Sequence, residues 1–208
     1  MKIITISREF GSGGRELGKR LADILGFDYY DREIITAIAD KKGLNPDYVE
    51  RMLENHAWQT VPLTYRHSFT GTAMIHVPHH HTELLSEQTQ VLESIAKNGK
   101  DCIIVGRNAD FILKNYAPLN LFVCADIDSR INRCLERAEQ SEQLTPKRVK
   151  QKIRTIDKNR ARTREIISGS KWGDRSNYNL IVNTTGWEIK NLAPAVAGFI
   201  TGWFENTK

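Results

Sequence analysis

The sequence lacks any apolar segment approaching the roughly 20 residues that a membrane-spanning helix needs. Its apolar N-terminal run is interrupted by Arg8 and Glu9, which makes the run too short for a signal peptide. Cysteine is also scarce, since Cys102, Cys124 and Cys134 are an odd number without CxxC spacing. We therefore expect reduced, buried core cysteines rather than a disulfide framework or a zinc site, and a cytoplasmic protein without a membrane partner.

The chain also has no strong excess of charge overall, because its formal net charge at pH 7 is +5 over 208 residues. With 40% hydrophobic and 26% charged residues it has the composition of an ordinary globular protein. The charge is uneven, however, since residues 147–175 hold eleven lysines and arginines against three acidic residues. Such a basic block favours an anionic ligand. Because no aromatic ladder accompanies it, nucleic acid is not the favoured partner.

Five short apolar runs, bounded by glycine, proline, aspartate or asparagine, predict buried parallel strands. They are Lys2–Ser7, Phe27–Tyr30, Cys102–Gly106, Leu119–Ala125 and Asn179–Asn183. Because helical patterns alternate with these runs, we predict a three-layer α/β fold, with a five-stranded parallel sheet flanked by helices, as one domain over residues 1–208. Ligands of such sheets bind at the carboxyl ends of the strands.

Helical spacing predicts helices at residues 17–25, 84–95 and 192–203. The pair Thr145-Pro146 has the form of an N-cap followed by proline at the first helical position, so we expect a further helix to begin there. This basic helix and the segment after it, residues 145–175, form a predicted arginine-rich lid.

Between residues 41 and 82 the apolar periodicity weakens, apart from a helical piece at 47–54. We interpret this segment as a mobile acceptor flap and not as a second domain. Its histidines, at positions 76 and 79–81, cannot all reach one ion from a regular element, so we expect an exposed segment rather than a metal site.

The stretch ISREFGSGGRELGKRLA, residues 6–22, has the layout of a phosphate-binding loop: a strand, a glycine-rich turn and an amphipathic helix. Its Gly11-Ser12-Gly13-Gly14 run can aim several backbone N–H groups at one anion. In the usual G-x-x-x-x-G-K-[ST] motif the lysine neutralises phosphate charge and the hydroxyl residue coordinates magnesium. Here Arg8 stands at the first glycine, Gly14 at the lysine and Arg15 at the hydroxyl residue. We predict that Arg15, or else Lys19, supplies the missing charge; the alternative is a tight turn with only a packing role.

Two further groups of arginines are candidates for phosphate contacts. Arg107 directly follows a predicted strand, where it would hold an acceptor phosphate or carboxylate; the alternative is a surface arginine at a strand exit. Arg160 and Arg164 share one helix face at i, i+4, and Asp157 precedes Arg160 at i, i+3. A lid that brings these arginines over a transferring phosphoryl group would supply charge and exclude water. The alternative is a solvated charged helix.

Five segments match, in order, the motifs of one known family. They are ISREFGSGGRELGKRLA, GFDYYDREII, IIVGRNADFIL, DKNR at 157–160, and LIVNTTG. Together they resemble the cytidylate kinase-like family of P-loop proteins over nearly the whole chain. Asp31 matches the aspartate of the second-strand segment, and Arg107-Asn108 stands where cytidylate kinases have Arg-Asp in their GRD segment. DKNR is similar to the D-x-x-R of their lid.

The chain departs from the cytidylate kinases at Gly14, Glu16 and Ala37, where those enzymes have lysine, threonine and an arginine that grips the acceptor phosphate; Arg32 lies near the last position. The resemblance implies a nucleoside monophosphate kinase fold, ATP as the donor, and cytidylate or a related nucleotide as the acceptor. Mg²⁺ would be held mainly by nucleotide oxygens and water.

The patterns and the resemblance together assign three groups of site residues. The donor nucleotide would be bound by Gly11, Ser12, Gly13, Gly14, Arg15 and Glu16. The acceptor would be bound by Asp31, Arg32, Arg107 and Asn108. The catalytic residues would be Arg15, Asp157, Arg160 and Arg164. The alternative function is a non-catalytic nucleotide-binding or regulatory module that keeps the loop without turnover.

Overall fold

The computed structural model describes residues 1–54, 79–138 and 144–206. Within these ranges all five predicted strands are present, each within one residue of its predicted ends. They are β1 (Ile3–Arg8), β2 (Asp28–Tyr30), β3 (Cys102–Val105), β4 (Leu119–Cys124) and β5 (Leu180–Asn183).

The strands form one parallel sheet in the order β2-β3-β1-β4-β5. β1 lies at the centre, with Ile6 beside Val105 of β3 and beside Leu121 of β4. Because the chain leaves β1 toward one edge of the sheet and later crosses to the other, the carboxyl end of β1 is a topological switch point. Parallel sheets bind their ligands at such a point, so the loop after Arg8 is placed where a site is expected.

Eight α-helices lie within the described ranges, and they include all the helices that the periodicity predicts. They are α1 (Gly14–Leu25), α2 (Glu33–Lys42), α3 (Pro46–Glu54), α4 (His79–Lys97), α5 (Ala109–Ile112), α6 (Ile127–Glu136), α7 (Pro146–Ser168) and α8 (Ile189–Asn206). The predicted cap of α7 is confirmed, because the Thr145 side chain accepts a hydrogen bond from the Arg148 N–H and Pro146 occupies the first turn.

The sheet is covered on both faces, which confirms the predicted three-layer α/β architecture. One core lies between the sheet and the α1 and α8 helices, with Ile4, Leu17 and Ile200 fully buried. The other lies between the sheet and the α2, α3 and α4 helices, and it includes Ile38 and Leu92. A buried strand with helices on both faces requires a continuous apolar sequence, and every residue of β1 is buried.

Three predictions about the rest of the chain have mixed outcomes. The helical piece at 47–54 is confirmed as α3, whereas residues 55–78 of the flap, His76 among them, lie outside the described residues. The prediction that the cysteines are buried in the core is confirmed for Cys102 but wrong for Cys124 and Cys134, which are partly exposed. Among the described helices, none is long and apolar enough to cross a membrane.

Candidate active site

The loop from β1 to α1 places the start of a helix at the central edge of the sheet. Gly13 caps α1 with φ 82°, a conformation that favours glycine. A Cβ at Gly13 would also lie 2.5 Å from Cδ1 of Ile189, so any side chain there would collide with α8. The first N–H groups of a helix have no partner within the helix and carry partial positive charge. This end of α1 is therefore suited to an anion.

A cleft of about 370 Å³ lies over this loop. Gly11, Gly13 and Gly14 line it, as the sequence predicts for a phosphate cradle. Two carboxylates, Glu9 and Glu50, are outnumbered by the cations that line the same cleft: Arg8, Arg15, Arg133, Arg137, Lys152 and Arg160. Since clefts with one dominant sign of charge concentrate ligands of the opposite sign, the chemistry of the lining fits an oligophosphate.

Two predicted donor-binding residues do not line this cleft. Ser12 is fully buried, and its hydroxyl donates a hydrogen bond to the Glu9 carbonyl at 2.9 Å, so it stabilises the loop from within. Glu16 pairs with Arg137 and accepts a hydrogen bond from Arg20 Nε at 2.9 Å, on the outer side of α1.

Arg15 and Asp31, predicted for the donor and the acceptor, form an ion pair with each other. Asp31 follows β2 and is buried, and it also lies 3.7 Å from Nη2 of Arg8. The hydroxyl of Tyr29 donates to the Arg15 carbonyl at 3.3 Å; burial, and next the charge of Asp31, raise the pKa of Tyr29 to about 12. Asp31 is thus the counter-ion of two arginines beside the glycine loop.

A second, smaller pocket of about 60 Å³ lies beyond β3. Its floor is the turn Gly106-Arg107-Asn108, in which all three residues have positive φ, at 78°, 59° and 52°. Non-glycine residues in this conformation cost about 1–3 kcal/mol each and cluster at functional sites. The turn is held by Gln88, whose side-chain amide donates to the Arg107 carbonyl at 3.0 Å.

One α3 carboxylate connects the predicted acceptor-binding arginines. Glu50 accepts a hydrogen bond from Arg32 at 3.0 Å and lies 3.7 Å from Nη2 of Arg107. Arg107 is buried, whereas Arg32 is exposed and does not line the second pocket. The structure therefore brings Arg107 and Asn108 to this pocket and leaves Arg32 at the periphery.

Helix α7, which lies in the predicted lid segment, is fastened to the glycine loop. Asp157 accepts a hydrogen bond from the Phe10 N–H at 2.8 Å and pairs with the buried Arg130. Arg160 donates to the Arg8 carbonyl at 3.0 Å and lines both the cleft and the second pocket. Asp157 thus fixes α7 against the glycine loop, and Arg160 borders both pockets.

The fourth predicted catalytic residue, Arg164, lines neither pocket. Its guanidinium donates to Asp110 at 2.6 Å and to Ser170 at 2.9 Å, and it is almost completely buried. Burial raises the pKa of Asp110, and the charge of Arg164 acts in the opposite direction. Because Asp110 lies on α5, directly after the Gly106–Asn108 turn, this ion pair fastens α7 to the helix beside the second pocket.

The protein family of this chain follows from a match over most of its length. The model of the cytidylate kinase-like family matches residues 3–186. This chain belongs to the cytidylate kinase-like family. A cytidylate kinase from Haloarcula marismortui is 23% identical over 191 residues, which cover 91% of this chain and 84% of that protein.

Solved structures show the fold of this family member. An uncharacterized protein from Eubacterium ventriosum superimposes with a TM-score of 0.68 at 21% identity, over 97% of this chain and 99% of that chain. A shikimate kinase from Acinetobacter baumannii, in complex with shikimate, has a TM-score of 0.56 at 14% identity, over 100% and 96% of the two chains. The fold is that of the P-loop kinases, and family and fold together support a phosphotransferase that acts on a small substrate.

Several site residues of this cytidylate kinase-like chain were not found from the sequence. Arg130 and Arg133 of α6 and its C-cap residue Arg137 recur at i, i+3 and i+7, on the side that borders the loop and the cleft. Arg133 donates hydrogen bonds to Thr184 at 3.1 Å and to the Trp187 carbonyl at 3.0 Å, which ties α6 to the turn after β5. The i, i+3, i+7 spacing was the available signal. No comparable signal marks Glu50, Gln88 or Lys152.

Proposed function

We propose that this protein transfers a phosphoryl group from ATP to a small anionic acceptor, and that the acceptor is cytidylate or a related nucleotide. The observation that carries the proposal is that Arg8 and Arg160 each line both pockets. Ligands bound in the cleft and in the second pocket would therefore meet beside two guanidinium groups. The match to the family supports cytidylate as the acceptor to test first.

The residues around the cleft fit a nucleoside triphosphate. Gly11, Gly13 and Gly14 leave the approach to the helix N-terminus open, and the surrounding cations match a polyanion. ATP bound there would supply a γ-phosphoryl group: its bond to the bridging oxygen breaks with the electron pair left on ADP, the acceptor oxygen forms the new bond to phosphorus, and a hydroxyl acceptor releases its proton to solvent.

The roles of the side chains follow from their positions. Arg107 and Asn108 orient the acceptor, Arg160 counters the charge on the transferring group, and Asp157 holds the lid helix against the loop, which excludes water. Arg15 adds positive charge to the lining of the cleft. Mg²⁺ would be held mainly by nucleotide oxygens and water; the described residues contain no group of three or more histidine, cysteine or acidic side chains suited to a metal ion.

The experiment is a transfer assay with γ-labelled ATP, Mg²⁺ and a panel of nucleoside monophosphates and small hydroxy acids. We expect one acceptor class to become labelled with a kcat of about 1–100 s⁻¹. ATP that binds without labelled product at high enzyme concentration would instead establish the non-catalytic module. The protein would have a nucleic-acid partner if it bound DNA or RNA with an affinity that fell steeply as the salt concentration rose.

Cys134 allows occupancy of the cleft to be measured without turnover. It lines the cleft, and its Sγ would lie 3.0 Å from a Cβ at Gly11. Burial raises the pKa of the Cys134 thiol, so alkylation by a maleimide is best followed at alkaline pH. At an ATP concentration ten times Kd we expect alkylation of Cys134 to slow roughly tenfold, because only about one site in eleven is free.

Peptide mass spectrometry gives this rate separately for each cysteine. Cys124, which is partly exposed and lies outside the cleft lining, is the internal control. Equal protection of both cysteines, or none at Cys134, would show that ATP does not bind over the glycine loop.

A further inference from the structure

At positions 8 and 14 the glycine and the basic residue of the usual motif are exchanged. A phosphate-binding loop of the form G-x-x-x-x-G-K begins with glycine and ends with lysine, whereas this loop begins with Arg8 and has Gly14 at the lysine position. The two exchanged positions meet in space. A Cβ at Gly14 would lie 2.6 Å from Cβ and 3.1 Å from Cγ of Arg8. The stem of Arg8 therefore fills the volume in which a lysine side chain at position 14 would begin.

The rest of the Arg8 side chain crosses from the donor side to the acceptor side. It is 8% exposed, and its Nη1 would lie 1.6 Å from a Cβ at Gly106. Gly106 therefore has to be glycine for the guanidinium to pack on the backbone of the Gly106–Asn108 turn. The Asp31 carboxylate, 3.7 Å away, balances the charge.

Arg8 is also better placed than Arg15 to act between two ligands. Arg8 lines both the cleft and the second pocket, and its carbonyl holds the lid residue Arg160. The Arg15 side chain is 55% exposed, pairs with Asp31, and faces an outer pocket together with Lys19. Arg15 lines the cleft but not the second pocket.

We infer that Arg8 supplies the positive charge that lysine supplies in the usual phosphate-binding loop. Position 14 is correspondingly glycine, because a side chain there would occupy the space that Arg8 needs. The inference rests on the proposed function, since it assigns Arg8 as a catalytic residue of that reaction. The Arg8 guanidinium counters the charge on the oxygens of the transferring phosphoryl group, for which its paired N–H donors are suited. Asp31 is a positioning residue that holds it there.

The first test compares charge and shape at position 8. Arg8→Met keeps an apolar stem against Gly14 and removes the charge, so we expect kcat to fall about 100- to 1,000-fold. Arg8→Lys keeps a charge but lacks the paired donors of guanidinium, so we expect it to recover only part of this loss. Arg15→Ala, the matched removal of the neighbouring arginine, is expected to cost less than about tenfold, because this side chain is exposed. Full activity of Arg8→Met, or equal loss in Arg8→Met and Arg8→Lys, would overturn the inference.

The second test exchanges the two positions. Gly14→Lys alone is expected to be as inactive as Arg8→Met, because the new stem collides with Arg8. The double variant Arg8→Gly/Gly14→Lys restores the glycine and the lysine of the usual motif, with Arg15 still at the hydroxyl position, and we expect its kcat to recover to within about tenfold of the unmodified protein. A double variant no more active than Arg8→Gly would overturn the idea of a reciprocal exchange. Thermal unfolding of every variant separates loss of charge from loss of fold; if the double variant does not fold, the comparison of Arg8→Met with Arg8→Lys decides.

Binding provides a readout that does not require turnover. Calorimetry should show about tenfold weaker ATP binding by Arg8→Met, with adenosine binding unchanged within about twofold, because adenosine carries no phosphate. If the unmodified protein phosphorylates no acceptor, the proposed function fails. The ATP affinities of Arg8→Met and the unmodified protein would then still show whether Arg8 binds the phosphates. If transfer is observed and Arg8→Met matches the unmodified protein in both kcat and ATP affinity, the proposed function stands and the inference fails.

Discussion

Replacing Arg160 by alanine is expected to lower kcat about a thousandfold while changing the Kd for ATP by less than about threefold. The Arg160 side chain is 19% exposed, its Nη1 donates to the Arg8 carbonyl at 3.0 Å, and it borders both pockets. In the proposed reaction, this guanidinium would act on charge that develops during transfer rather than on the bound donor. Its loss therefore raises the barrier more than it weakens binding.

The control for this experiment lies on the same helix. Arg154→Ala removes the same charge from an exposed position of α7 that lines neither pocket, and it should leave kcat within about twofold. Arg160→Lys should recover only part of the loss, because an ammonium lacks the paired donors of guanidinium. An Arg160→Ala variant whose ATP affinity falls as far as its kcat would show that Arg160 binds the donor and does not act in transfer.

The second large effect is on stability. Asp110→Ala should lower the free energy of unfolding by about 3–5 kcal/mol, because it leaves the Arg164 guanidinium buried without its counter-ion. For a chain of this size the loss corresponds to a decrease of roughly 6–20 °C in Tm. Both partners are nearly inaccessible to solvent, at 5% and 2% exposure, and the bond between them is 2.6 Å long. Urea unfolding and thermal scans measure the two quantities.

Two variants separate burial from pairing. Glu188→Ala breaks the ion pair between Glu188 and Lys190, in which the two side chains are 66% and 60% exposed. Because surface pairs of this kind contribute at most about 1 kcal/mol, this variant should lose no more than that in free energy of unfolding. Asp110→Leu/Arg164→Met removes both buried charges, and we expect it to recover most of the stability lost in Asp110→Ala, because burial already raises the pKa of Asp110 and so disfavours its charged form. If the double variant is as unstable as Asp110→Ala, then the stability is lost because the ion pair is missing, and not because the charge of Arg164 is buried without a counter-ion.

The sheet could be predicted from the sequence because burial on both faces requires uninterrupted apolar runs. β3 is such a run, β1 has three isoleucines among its first four residues, and the glycine-rich turn after β1 marked the ligand-binding edge. The order of the strands then places Arg107 and the glycine loop side by side. These parts of the candidate site follow from local sequence and from the rules for parallel sheets.

The roles of individual charges could not be predicted in the same way. Arg160 and Arg164 share a helix face, but four residues along a helix correspond to about 6 Å, which separates the pocket from the buried contact with Asp110. Spacing also could not show that Asp31 holds Arg15 outward, because the two residues meet only when β2 lies beside α1. Likewise, the conflict between Arg8 and a side chain at position 14 exists only in three dimensions.

The central claim is that a lysine-less glycine loop, with arginine in place of the lysine, binds the phosphate tail of a nucleoside triphosphate. Calorimetric titration of the unmodified protein with ATP and with adenosine, Mg²⁺ present, tests it most directly. We predict a Kd for ATP between about 1 μM and 1 mM, and binding of adenosine at least about tenfold weaker. Equal affinities for ATP and adenosine, or no heat with either, would contradict the claim.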